Sequence, residues 1–96
     1  MSAYVILMRE RIKNADEFAA YGPMARLARE GHDITPLAFY GALTHLEGEP
    51  AEGVVILQFP DVDAAKAWYN SPAYQAALKH RLAGADYRVM IVEGVG

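Results

Sequence analysis

The chain has 96 residues, 53% of them hydrophobic and 22% charged, with 9 Lys and Arg against 12 Asp and Glu and a formal net charge of -3. That composition describes one globular domain over residues 1–96 rather than a disordered or fibrous segment, and basic residues scattered along the chain argue against nucleic acid as a partner. With no cysteine there can be no disulfide framework, thiolate metal site or cysteine nucleophile, which favours a reducing cytoplasm.

The opening "MSAYVILMRER" has no basic stretch ahead of its apolar run, and the run is too short for a signal-peptide core or a membrane span. A soluble, cytoplasmic protein with no membrane partner is expected. Its first strand is "YVILMR", from Tyr4. The first helix follows at "NADEF", where Asn14 can cap and Glu17 can reciprocate. It closes at Gly31, with a bend at Gly22-Pro23. A second strand, "LAFYGAL", starts at Leu37, and "LEGEPAEG" (46–53) is the flexible connection to a third, "VVILQF", from Val54. The second helix starts at "PDVDAA", capped by Asp61, and a fourth strand, "YRVMIVE", begins at Tyr87. The order βαββαβ is the split pattern of an α+β, ferredoxin-like domain, in which helices cover one face of a four-stranded antiparallel sheet.

The strands are apolar on both faces. Tyr4, Ile6 and Met8 oppose Val5 and Leu7; Val54 and Ile56 oppose Val55, Leu57 and Phe59; Met90 and Val92 oppose Val89 and Ile91. Helices can cover only one face, so the other is expected to pack against a second copy, giving a homodimer through the open sheet face.

The stretch "AWYNSPAYQAALKHRLAG" (67–84) reads as two helical segments at an angle. Ser71 is a natural N-cap and Pro72 suits the first helical position, where its missing amide costs nothing; Gly84 is a stop signal. In the first segment Val62, Ala65 and Tyr69 share a face with Trp68 on its flank. In the second, Tyr74, Ala77, Leu78, Arg81 and Leu82 share a stripe, while Lys79 and His80 point away.

An arginine turned inward must find partners, since its charge cannot be neutralised. Two readings stand. Arg81 pairs with Asp86 or snorkels its head to water, or it lines a cleft between helix and sheet and binds an anionic or carbonyl group. Tyr69, Ser71 and Tyr74 carry the same ambiguity. The three histidines, His32, His45 and His80, have no metal-ligand spacing, so no metal is expected. His45, at a strand end, is the best acid-base candidate. No phosphate loop, nucleophile elbow or dinucleotide fingerprint is present, and no cofactor is expected.

The segments "YVILMRERIKNADEFAAY", "LEGE" with "VVILQFPDVDAAKAWYNSPAYQ", and "RLAGADYRVMIVEGV" together resemble domain-of-unknown-function family 1330, over nearly the whole chain. The "W-Y-x-S-x-x-Y" element with its following arginine is the most specific part. The resemblance implies a dimeric α/β barrel, in a superfamily that includes cofactor-independent monooxygenases, muconolactone isomerase-like enzymes, haem-degrading proteins and non-enzymatic ligand sensors. Sites there lie between sheet and helices. The family pattern falls on Trp68, Tyr69, Ser71, Tyr74 and Arg81. The chain lacks the axial-ligand element of the haem-degrading relatives, and the strand "LAFYGALTHLEGE" is less typical, so any role of Tyr40 or His45 would be peculiar to this protein.

These readings converge on a small-molecule cleft in each subunit of a homodimer. Tyr21, Trp68, Tyr69 and Ser71 would bind an aromatic or enolisable carboxylate or carbonyl compound. In an enzyme of isomerase, cyclase or monooxygenase type, Arg81 would stabilise developing negative charge while Tyr74 or His45 moves a proton. The alternative is a binding or structural dimer in which Arg81 and the tyrosines only hold the bent helix.

Overall fold

A computed structural model describes residues 2–96. The elements are β1 (Ala3–Ile12), α1 (Ala15–Leu27), β2 (Thr35–Phe39), β3 (Gly53–Phe59), α2 (Val62–Tyr69), α3 (Pro72–Gly84) and β4 (Ala85–Glu93). The strands form one antiparallel sheet in the order β2-β3-β1-β4, which is the ferredoxin-like arrangement that the βαββαβ order predicts.

Register explains the doubly apolar strands. Val5 pairs with Leu57 and Ile91, and Leu7 with Val55 and Val89. With Ala3 and Phe59 they form the face under the helices, where the β1 and β3 side chains are buried and Val89 and Ile91 half-buried. On the opposite face Ile6 lies between Ile56 and Met90, and Tyr4 between Gln58 and Val92. Among the described residues no element covers that face, and Met90 and Val92 are 42% and 47% exposed.

The helices start where their caps allow. Asn14, Asp61 and Ser71 each accept a hydrogen bond from the backbone N–H three residues on. Ser71 also donates to the Trp68 carbonyl, so one hydroxyl closes α2 and opens α3, and Pro72 takes the first turn of α3. Gly84 needs to be glycine for packing as much as for stopping: a Cβ there would sit 2.5 Å from the Phe18 amide nitrogen. Its carbonyl accepts from the N–H groups of Lys13 and Asn14, and β4 begins at the next residue.

Several local expectations are corrected. Helix α1 ends at Leu27, not Gly31; the N–H groups of Arg29 and Glu30 bond carbonyls three residues back, tightening the chain into turns before Gly31 adopts φ +80°. Glu17 does not complete a capping box, because its carboxylate meets His80 Nδ1 at 2.9 Å across the α1–α3 contact, and the Asn14 N–H goes to Gly84 instead. His80 is therefore engaged rather than simply solvated. Strand β2 ends early, since the register shifts between Pro36 and Ala38 and Tyr40 takes a positive φ of 54°. Trp68 is core rather than flank, while Leu82, on the expected inward stripe, is 59% exposed.

Candidate functional site: an aromatic cavity with three arginines

Between α1 and the inner face of β1, β3 and the end of β2 lies a cavity of about 390 Å³. Its apolar wall comes from Leu7, Val55 and Leu57 of the sheet, and rings are supplied by Phe18 and Tyr21 of α1, Phe39 and Tyr40 at the end of β2, and Trp68 of α2. The charged groups on the wall are Arg9, Arg26 and Arg29, and no carboxylate lines it among the described residues. Such a surface suits a flat apolar body carrying negative charge.

Arg9 is the most constrained of the three. Its guanidinium carbon lies 5.3 Å from the Phe18 ring centre and 4.9 Å from that of Tyr40, a pair of cation–π contacts. Glu52 stands 3.4 Å from its Nε, yet that nitrogen is buried and finds no acceptor in hydrogen-bonding geometry.

Behind the wall are two tyrosine pairs. Tyr21 and Tyr74 share a hydrogen bond of 2.8 Å between their hydroxyls, and Tyr40 and Tyr87 share another. Burial, above all, raises the pKa values of Tyr21, Tyr74 and Tyr87 from the ordinary phenol value. For Tyr21 and Tyr74 the nearby Arg81 charge opposes that rise; for Tyr87 it is Arg9.

Arg81 is 3% exposed. Its guanidinium carbon sits 4.8 Å from the Tyr87 ring centre and 5.8 Å from that of Tyr21, and its Nε has no acceptor. The expected partner, Asp86, is taken: it binds Arg11 and Lys13. Among the described residues no carboxylate pairs with Arg81, and its charge is instead packed on tyrosine rings.

Of the residues singled out by sequence, Tyr21 and Trp68 line the cavity. Tyr74 is fully buried one layer behind, bonded to Tyr21 and with its ring centre 4.2 Å from that of Trp68; Arg81 lies in the same layer. Tyr69 is on the far side of Trp68, beside a separate groove with Val5, Val89 and Ile91. Ser71 is engaged in capping. His45 lies in the exposed segment 41–50, its Nε2 3.1 Å from the Ala51 carbonyl, away from the cavity.

Periodicity passes over Arg9, Phe18, Phe39 and Tyr87. For Arg9 the signal was present, since it has the same parity as Val5 and Leu7 and so faces the helices. Tyr87 likewise shares the parity of Val89 and Ile91.

A family model described as "Domain of unknown function (DUF1330)" matches residues 2–95. The chain belongs to the DUF1330 family. No curated protein matches it. Among solved structures, RPA0582 of Rhodopseudomonas palustris, a protein of unknown function, is 23% identical with a TM-score of 0.68, over 99% of this chain and 83% of that one. A dimeric ferredoxin-like protein of unknown function from Thermobifida fusca is 14% identical with a TM-score of 0.64, over 96% and 90%. SnoaB of Streptomyces nogalater, a cofactor-independent oxygenase, is 13% identical with a TM-score of 0.62, over 99% and 93%. At these identities the likeness shows the ferredoxin-like fold that DUF1330 shares with them. Among the described residues no helix is long and apolar enough to cross a membrane, and no cluster of His, Cys, Asp and Glu could hold a metal.

Proposed function

We propose that this DUF1330 protein is a homodimer that binds a small aromatic or enolisable compound bearing a carboxylate, enolate or carbonyl group, one in each subunit's cavity. The observation that carries the reading is the lining: five aromatic rings and three guanidinium groups around about 390 Å³, with no carboxylate among the described residues. Rings give area for a flat ligand, and arginines give charge and a fork of donors.

Turnover without a cofactor, as in the oxygenase SnoaB, would use the layer behind the wall. Tyr21 lines the cavity with its hydroxyl bonded to that of Tyr74, so a bound enolate that reaches the Tyr21 hydroxyl takes its proton, Tyr74 re-protonates Tyr21, and the negative charge rests on Tyr74 beside Arg81. Arg81, packed beside both, favours their ionised forms against the effect of burial.

One observation favours binding without turnover. Burial favours the protonated form of the Tyr21 hydroxyl on the cavity wall, and the best acid-base candidate, His45, sits on an exposed loop. Trp68 then supplies one ring of the cavity wall, while Ser71 holds the α2–α3 bend.

The dimer reading rests on the uncovered face of Tyr4, Ile6, Met8, Val54, Ile56, Met90 and Val92, too continuous and apolar for a free surface. Light scattering at micromolar concentration should give twice the chain mass, and Ile6→Asp should give a monomer. A monomeric wild type refutes the dimer.

The ligand reading is tested by a thermal-shift screen of aromatic acids, phenols and enolisable ketones. A compound at about a hundred times its Kd adds roughly 2.7 kcal/mol, worth about 10 °C or more in a domain this small. No shift across the panel refutes it.

A further inference from the structure

We infer that Arg9 is the residue that selects a charged ligand in this cavity, and that Glu52 is an internal carboxylate which the ligand's own anionic group displaces. The inference rests on reading the cavity as a small-molecule site.

Arg9 is built into place. It pairs with Gly53 across β1 and β3, and a Cβ at Gly53 would lie 2.6 Å from the Tyr40 ring and 3.3 Å from an Arg9 terminal nitrogen. Glycine there lets ring and guanidinium lie close against the strand. Tyr40 reaches that position through its left-handed backbone, φ 54°, a conformation uncommon outside glycine and worth a functional question. With Phe18 on the other side, the guanidinium is held by two ring faces; the Tyr87 hydroxyl is nearby, yet no group among the described residues satisfies its Nε.

The acceptor present is a poor one. Glu52 is 3.4 Å from Nε without hydrogen-bond geometry, and its side chain is 47% exposed against 19% for that of Arg9. A half-solvated carboxylate in that arrangement gives up little when it turns to water. It nevertheless spares the protein an uncompensated cation in an aromatic wall when no ligand is bound. Its position is kept by the backbone, since the Glu52 N–H donates to the Arg9 carbonyl at 2.8 Å. Exchange therefore needs only a side-chain rotation.

An incoming carboxylate can meet the guanidinium edge in the paired geometry that Glu52 misses. A neutral compound of the same shape fills the rings and leaves the Arg9–Glu52 pair as it is. Of the other wall arginines Arg26 is exposed and Arg29 half-buried, so selection for charge falls chiefly on Arg9.

Cinnamate and cinnamyl alcohol share that shape and differ in charge, and calorimetric titration of both into wild type, Glu52→Gln and Arg9→Gln tests the assignment. Removing the competitor should tighten cinnamate binding about two- to fivefold, the scale of a partly exposed pair, with the alcohol unchanged. Arg9→Gln should weaken cinnamate about tenfold to a hundredfold, as expected for a lost charged hydrogen bond, down to the affinity of the alcohol. Cinnamate binding that is unchanged in Arg9→Gln, or not tightened in Glu52→Gln, overturns the inference. If Arg9→Gln does not fold, Glu52→Gln alone decides. Equal binding of both compounds to all three proteins leaves the cavity reading standing and overturns only this one; no binding of either to the wild type removes both.

Discussion

Arg81→Met is the substitution whose outcome separates a charge kept for stability from one kept for use. In the wild type the guanidinium is 3% exposed, has no carboxylate within ion-pair distance among the described residues, and rests on the rings of Tyr87 and Tyr21. Desolvated cation–π contacts are worth about 2 kcal/mol each, and the penalty for taking an ion out of water is several kcal/mol even after relaxation. The two nearly cancel. Methionine keeps the length and most of the apolar contact of the arginine stem without the charge, so Arg81→Met should range from neutral to about 4 kcal/mol more stable, as when buried charges are replaced by apolar residues of similar volume. Arg81→Ala, by contrast, leaves a void beneath two tyrosine rings and should cost about 2–5 kcal/mol. Urea titrations of both variants check this, with a higher midpoint for Met, a lower one for Ala, and an unchanged slope. If Met destabilises as much as Ala, the charge itself stabilises the fold and the accounting above is wrong. If Met is stable, the arginine is retained for its effect on the tyrosine layer, and the variant should keep the thermal shift given by an anionic ligand while its buried tyrosines ionise less readily.

Gly84→Ala should destabilise by about 1–3 kcal/mol, because a Cβ only 2.5 Å from the Phe18 backbone forces α1 off α3; an unchanged urea midpoint would contradict the close approach. The phenols of Tyr21, Tyr74 and Tyr87 have folded pKa values raised by burial. Their contribution is fully present below the unfolded value near about pH 10 and is lost as pH rises beyond it. Phenolate absorbance should accordingly show Tyr21 and Tyr87 ionising only together with unfolding, and a smooth titration of all six tyrosines in the folded protein would refute that. Asp86 is held below the usual carboxylate range by hydrogen bonds from Arg11 and Lys13. Its contribution is therefore present above about pH 4 and fades as pH falls through the lowered folded value. The stability gap between wild type and Asp86→Asn should narrow in acid, and a gap independent of pH would show that the trio does not act through charge.

The fold was legible because its signals are local and repeated. Parity along β1, β3 and β4 assigns each apolar residue to a face, and the registers observed agree with that assignment at every pair from Ala3 to Met8. Asn14, Asp61 and Ser71 are caps whose chemistry is complete within four residues. Element ends were less legible where a distant group intervened. Glu17 serves His80 rather than the capping box, and the Asn14 N–H serves Gly84; neither partner is close in sequence.

The two arginines on inward faces show what pattern can and cannot deliver about the site. Arg81 was legible because it interrupts an apolar helical stripe, and Arg9 ends an equally apolar strand row by the same rule. Pattern gives direction but not depth. It could not tell that Arg81 is sealed behind Tyr21 and Tyr87 while Arg9 reaches the cavity, nor that Asp86, the nearest acid to Arg81 in sequence, faces Arg11 and Lys13 across the β1–β4 ladder. Depth is decided by which ring covers which charge, and that depends on contacts 40 to 60 residues apart, such as Tyr40 with Tyr87 and Tyr21 with Tyr74. Under the proposed function, the inward arginine on a strand meets a ligand's charge and the one on a helix biases the hydroxyls behind it. The variants at Arg9 and Arg81 should accordingly fail differently, the first in discrimination between cinnamate and its alcohol, the second in the response of the tyrosine layer.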